Sequence, residues 1–239
     1  MKLYELFHEN SKEYIAEKEL TKNSLHQFDP IDNFYCRSID DAPRIELPEG
    51  DAGDTTELIR HRDSDRDFTG GPIALSDLAT VLRNAYSVRP DSDGFRVVPS
   101  AGASYPLEVY VAAFNTSDLD AGIYHYNLYD DSLEKVRSGE FRSEIKTYSH
   151  DQDYAEDASL LVLLTATFER TTYKYGERGY RYVFIEAGHV GQNVYLTCEE
   201  LGLGVCASGG FADEEVASLF ELPDDEHPVY SLFLGTVDD

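Results

Sequence analysis

Arg62, Ser64 and Arg66 stand at every second position of "RDSDRDF", so an extended chain puts two guanidinium groups and a hydroxyl on one face. Such a face can clamp a phosphate, because planar guanidinium forks match its oxygens. The same arginines can instead pair with Asp63, Asp65 and Asp67 beside them, which at a surface is worth little. In "PSAGASYPLE", Pro99, Ser100, Ala101 and Gly102 leave the backbone unobstructed. Their N–H and C=O groups can lie against a flat polar ring system, or the stretch is an ordinary turn before a strand. Gly209 and Gly210 in "LGLGVCASGGF" admit the same two readings. Lys174, Arg178 and Arg181 gather just ahead of a periodic apolar segment, where they either solvate a surface helix or face an anion.

Other chemistries lack their signatures. The seven histidines form no HExxH and no close cluster with carboxylates, so no metal site is expected; His189, beside an apolar stripe, reads as a satisfied buried histidine. There is no GxSxG, Walker loop or GxGxxG. Cys36, Cys198 and Cys206 are few and unpaired in spacing, which argues against a disulfide framework. The 46 acidic residues against 20 basic ones give a net charge of −26, the wrong sign for nucleic acid or an anionic membrane. The acids are spread along the chain, so their repulsion is relieved where salt screens it. Adaptation to high salt follows as an expectation; a melting temperature highest at low ionic strength contradicts it. The start "MKLYELFHENSKEY" has no apolar run of signal-peptide length, and no stretch approaches 18 apolar residues. A cytoplasmic protein is expected.

The elements that must position these residues follow from periodicity. Residues 1–20 read as an amphipathic helix on Leu3, Leu6, Phe7 and Ile15, and Asn23 to Asp54 as an extended wrapping segment. The expected division is residues 1–55 for that N-terminal part and 56–239 for the main domain. Helices are predicted over "TTELIRHR", capped by Thr55 or Asp54, over "LSDLATVLRNAY", capped by Ser76, and over "DEEVASLF", capped by Asp213. Strand patterns lie at "LEVYVAAF", at "GIYHYNL" and "SLEKV" as a hairpin, at the wholly apolar "ASLLVLLTATF", near "GVCASG" and at "PVYSLFLG". Val183, Ala187, Val190, Val194, Cys198 and Leu201 make a long helical stripe that stops at "LGLG". Strands and helices mix without strict alternation, so the fold class is α+β.

Taken in order, "RDSDRDF", "PSAGASYPLEVYV" with "GIYHYN", and "KYGERGYRYVFIEAGHVGQNVYLTCEELGLG" running into "GGF" resemble the nitroreductase superfamily. Within it they resemble the SagB-type dehydrogenases, which include thiazoline/oxazoline oxidases. The resemblance runs from about Leu58 to Gly235 and implies an FMN-binding α+β homodimer with the flavin at the subunit interface. Arg62, Ser64 and Arg66 match the positions that hold the FMN phosphate and ribityl chain. Pro99, Ser100, Ala101 and Gly102 match the loop against the flavin. Ser208, Gly209 and Gly210 match the backbone near the ring's reactive edge. Lys174 and Tyr175 match a Lys-Tyr pair of the azoline-oxidising branch. Oxidising an azoline removes a proton and a hydride, so a base must accompany the flavin. Tyrosine is a weak base near its usual pKa, and a neighbouring ammonium favours its ionised form; otherwise the two are exposed loop residues.

Two positions depart from the family pattern. Asp63 stands where an arginine is common, and "HPVYSLFLGTVDD" supplies no C-terminal bases for a phosphate. Three functions are compatible with these residues. The first is an FMN-dependent azoline oxidase, with a cyclodehydratase as the expected neighbour. The second is an NAD(P)H-dependent reductase of nitroaromatics or quinones, which needs no Lys-Tyr pair. The third is a flavin-free partner in a peptide-modifying complex.

Overall fold

The computed structural model describes residues 2–12, 42–48, 50 and 53–238. Most of the predicted 23–54 segment, Ile15 and Cys36 lie outside them. The fold is α+β, built on a sheet of six strands in the order β5-β4-β2-β6-β8-β7, with every neighbouring pair antiparallel. The strands are β2 (Leu107–Ala113), β4 (Gly122–Asn127), β5 (Ser132–Ser138), β6 (Leu160–Ala166), β7 (Leu203–Ser208) and β8 (His227–Thr236). A small parallel ladder pairs β1 (Ile73–Ala74) with β3 (Thr116–Ser117). The helices are α1 (Leu3–Ser11), α2 (Asp54–His61), α3 (Leu75–Tyr86), α4 (Arg142–Tyr148), α5 (Glu169–Tyr175), α6 (Gly179–Leu201) and α7 (Asp213–Leu219).

Strand β6 explains the layering. All seven of its residues are buried, as expected of a strand covered on both faces. Leu160, Val162 and Leu164 join a core with α3 and α6, including Leu78, Val81, Leu82, Val183, Val190 and Val194. Leu161 and Leu163 face a second core with Phe114, Ile145, Phe220 and Phe233 beneath α4 and α7. The predicted stripe is the buried face of α6, and Gly202 ends that helix in the left-handed conformation at φ 68°.

Several local expectations are corrected. Ser76 lies inside α3, which starts one residue earlier after Ala74. α2 begins at Asp54 behind Gly53, and Asp213 is the first residue of α7 behind Ala212; neither helix has a side-chain cap. His189 points from the exposed side of α6 and is not buried. Helices α4 and α5, seven residues each, were not expected.

Candidate functional site

The Arg62–Arg66 segment leaves α2 in an extended course along the edge of the sheet. The Asp65 N–H donates to the Val205 carbonyl at 3.0 Å, and the Thr69 N–H to the Thr236 carbonyl at 2.9 Å. The Ser64 hydroxyl lies 3.0 Å from the Tyr195 hydroxyl, and the Arg62 guanidinium stacks over the Tyr195 ring at 5.3 Å. Tyr195 also accepts the Ala207 N–H at 2.9 Å, so this α6 residue joins the segment to β7 just before Ser208. Arg66 donates to the Ser64 carbonyl at 3.4 Å. Among the described residues neither arginine forms an ion pair with a carboxylate, and Asp63 instead accepts the Ser64 N–H at 2.7 Å. Among the described residues, two cations therefore stand without acidic partners in a chain with a large acidic excess.

The Pro99–Gly102 loop is tightly determined. Ala103 donates to the Ser100 carbonyl and Ser104 to that of Ala101, both at 3.2 Å, forming one turn. The Ser100 hydroxyl accepts the Tyr105 N–H at 2.9 Å. Gly102, Ala103 and Tyr105 have φ of 59°, 54° and 46°. Left-handed backbone at two non-glycine residues is costly and survives only where the surroundings enforce it. Those surroundings include a buried polar network. Glu186, 2% exposed, accepts the Tyr86 hydroxyl at 2.7 Å, and Tyr86 in turn accepts the Leu107 N–H at 3.3 Å. Buried Arg96 stacks on Tyr86 at 4.2 Å and on Tyr105 at 4.8 Å, and its N–H donates to the Tyr105 hydroxyl at 3.1 Å. Burial pushes the Glu186 carboxyl above its ordinary range, opposed by hydrogen bonds from Ser100 and Tyr86 and by Arg96.

Lys174 and Tyr175 form the last turn of α5, not a loop. They reach the 99–102 loop directly: Lys174 Nζ donates to the Gly102 carbonyl at 3.4 Å. A Cβ placed on Gly102 would lie 2.5 Å from Lys174 Nζ and closer still to the Tyr175 hydroxyl, so a side chain there would push the ends of both aside. The Tyr175 ring stands perpendicular to Tyr182 at 5.1 Å. Close packing sets the start of α6 against α5, since a Cβ on Gly179 would meet the Thr172 backbone at 2.9 Å. The bases here do not stabilise α6. Arg178 stands at its N-cap position without a side-chain cap bond, and Arg181 lies in its first turn, where no acid is present; cations at a helix N-terminus oppose the macrodipole.

At the end of β7 the Ser208 hydroxyl accepts the Gly210 N–H at 3.3 Å, and the Ser208 carbonyl accepts the Ser231 hydroxyl at 2.9 Å. Gly209 has nothing within 4 Å of where its Cβ would be, and it opens on a 330 Å³ cleft shared with Phe7, His8, Tyr180 and Phe184. The predicted residues thus fall into two clusters tied by α6. Arg62 and Ser64 meet Tyr195, while Ser100 and the loop carrying Gly102 meet Glu186. Nine residues of helix separate Glu186 from Tyr195, about 14 Å along the axis. No direct contact between the two clusters is seen among the described residues. Tyr195, Glu186, Tyr86 and Arg96 were not singled out in the sequence. Glu186 left a signal: it is a carboxylate on the buried face of the stripe.

Residues 59–236 match the nitroreductase family, and the chain belongs to it. MJ1384 of Methanocaldococcus jannaschii, a protein itself assigned to the nitroreductases, is 35% identical over 195 residues, 82% of this chain and 97% of its own. The microcin B17-processing protein McbC of Escherichia coli is 30% identical over 175 residues, 70% of this chain and 64% of McbC. The E. coli microcin synthetase McbBCD complex, solved with truncated pro-MccB17 bound, contains a chain of the same fold. It has a TM-score of 0.66 at 22% identity and covers 100% of this chain and 98% of that one. The chain is thus similar both to a nitroreductase and to a microcin-processing protein.

Members of the nitroreductase family generally bind flavin, and the residues present fit FMN on chemical grounds. Arg62 and Arg66 are guanidinium groups without carboxylate partners among the described residues, suited to a phosphate. Gly209 leaves open backbone that a planar ring could approach. Among the described residues no group of His, Cys, Asp and Glu could hold a metal. None of the described helices is long and apolar enough to cross a membrane.

Proposed function

We propose that the chain is an FMN-dependent oxidoreductase of the SagB type that oxidises thiazoline or oxazoline rings of a peptide to azoles. The observation that carries this reading is the convergence of Lys174 and Tyr175 on Gly102. A flavin reductase has no use for a basic pair at that point. An azoline oxidase needs one, because the substrate ring loses a proton from one carbon and a hydride from the other.

FMN, when bound, supplies the hydride acceptor, with molecular oxygen as the terminal oxidant. Arg62, Ser64 and Arg66 would hold its phosphate and ribityl chain. Pro99, Ser100, Ala101 and Gly102 would lie against one part of the ring, and Ser208, Gly209 and Gly210 against another. Tyr175 takes the substrate proton, with the Lys174 ammonium beside it. The Gly102 carbonyl orients that ammonium. Two copies of the chain would complete the flavin site between them, and a cyclodehydratase would supply the azoline, as the association of McbC in a synthetase complex suggests.

The test is the visible spectrum of the purified protein, followed by an azoline oxidation assay and addition of NAD(P)H. Flavin bands near one per chain and conversion of azoline to azole are expected. Rapid bleaching by NAD(P)H with no azoline oxidation replaces this reading with the reductase. A colourless protein that takes up no FMN leaves the flavin-free partner.

A further inference from the structure

Helix α1 lies outside the span matched by the family, which begins at residue 59, yet it grips both ends of the segment that carries Lys174 and Tyr175. We propose that α1 is a strap fastened by Glu177, and that Glu177 is a positioning residue for the Lys174–Tyr175 pair. The inference rests on the role given to that pair above.

The first N–H groups of any helix lack partners within it. Lys2, which precedes α1, provides no side-chain cap. Glu177 provides one from 173 residues away or more: its Oε1 accepts the Leu3 N–H at 3.1 Å and its Oε2 accepts the Tyr4 N–H at 2.7 Å. A carboxylate at that end also suits the helix dipole. Glu177 comes two residues after Tyr175, in the turn between α5 and α6. At the other end of α5, Glu169 lies 3.7 Å from the Lys2 ammonium. Tyr4, 7% exposed, fills the space between. It stacks on Tyr180 at 5.7 Å and tilts against Phe168, the residue before α5, at 6.2 Å.

Helix α5 needs such support. At seven residues it is far too short to persist by its own propensity. Its inner polar anchor is Arg170, whose guanidinium lies 2.6 Å from Glu108, while the buried hydroxyls of Thr171 and Thr172 have no hydrogen-bond partner among the described residues. The exposed ion pair with Glu169 adds little. The paired charge-assisted bonds to Glu177 and the burial of Tyr4 add a hold from the side of α1. The far end of α1 is fixed as well: Lys12 Nζ, on an almost fully buried side chain, lies 2.6 Å from Glu214, four residues past Gly210. The strap thus spans from the Lys-Tyr helix to the turn that carries Gly209.

Glu177 is exposed, so replacing it leaves the core intact. The experiment compares full-length wild type, Glu177→Ala and Glu177→Gln by amide hydrogen exchange and steady-state kinetics. In Glu177→Ala, exchange over residues 169–178 should rise about tenfold, as expected for a lost helix cap, with residues 160–166 unchanged. Azoline oxidation should lose about tenfold in kcat with little change in KM or flavin content. Glu177→Gln, which keeps one carbonyl acceptor, should recover part of both. If residues 3–11 exchange freely while 169–178 exchange as in wild type, α1 is mere covering and the proposal is overturned. Full kcat in Glu177→Ala overturns it equally. If wild type oxidises no azoline, the proposed function fails, and the exchange measurement still decides whether α1 holds α5.

Discussion

Lys174 Nζ lies 3.4 Å from the Gly102 carbonyl, across 72 residues of chain. One partner ends a short helix, and the other sits at the tip of a loop held from below by Ser100, Glu186 and Tyr86. The contact joins the 99–102 loop to the Lys-Tyr pair, and a side chain at residue 102 would crowd it.

Gly102→Ala is therefore expected to damage both motifs. The left-handed φ of 59° costs a non-glycine residue about 1–2 kcal/mol. The new methyl also displaces the ends of Lys174 and Tyr175. A melting curve should show the modest destabilisation, while azoline oxidation should fall by far more than the fraction unfolded. Wild-type activity in a folded Gly102→Ala variant would show that the close approach has no role.

The phosphate clamp gives an independent prediction. Each guanidinium is expected to contribute about 1.5–3 kcal/mol to a charged partner. Arg62→Ala with Arg66→Ala should weaken FMN by two decades or more. Flavin fluorescence titration measures this. Unchanged affinity would place the phosphate elsewhere. The fold should survive, because neither arginine has a carboxylate partner among the described residues to orphan.

The fold was legible where the pattern was long. Seven consecutive buried residues made β6 plain, and a stripe of five turns made α6 plain. The site was legible only as separate motifs. Their meeting depends on contacts between residues far apart in sequence, such as Ser64 with Tyr195 or Lys174 with Gly102. Helix α5 was not expected, so Lys174 and Tyr175 read as loop. Tyr195 hid among the apolar positions of α6, although its hydroxyl serves both Ser64 and Ala207. Glu186 was the readable anomaly, since a carboxylate on a buried face demands a polar partner.

The docking of α1 should depend on pH. His8 is 7% exposed, and its ring lies 4.7 Å from His227 and 3.4 Å from the Tyr180 hydroxyl. Burial, then His227 and Lys12, push its pKa down to about 4, while Glu9 and Glu214 oppose them. The folded state favours neutral His8. Its contribution is complete above the unfolded value near 6.5 and is lost as pH falls through about 4. Over that window the folding equilibrium should weaken by up to roughly tenfold per pH unit from this group. His8→Phe should melt with a shallower pH dependence than wild type between those limits. Parallel curves would show that His8 does not titrate on unfolding.

Lys174→Ala and Tyr175→Phe separate the two enzyme readings. Neither residue is assigned to the cofactor, so both variants should fold and stay yellow. Each should lose most azoline oxidation, because general-base catalysis contributes about 10²–10⁴-fold. The losses should not add in the double variant, because the residues act as one unit: Lys174 Nζ lies 5.6 Å from the Tyr175 ring centre, and both abut Gly102. Reduction of a quinone or nitroaromatic by chemically reduced protein should change little, because it requires no substrate deprotonation. The measurement is both reactions in wild type, each single variant and the double, with flavin content determined in every sample. Azoline oxidation that survives in the double variant would return Lys174 and Tyr175 to the status of surface residues. Loss of both reactions in step would instead mean that the pair supports the flavin site itself.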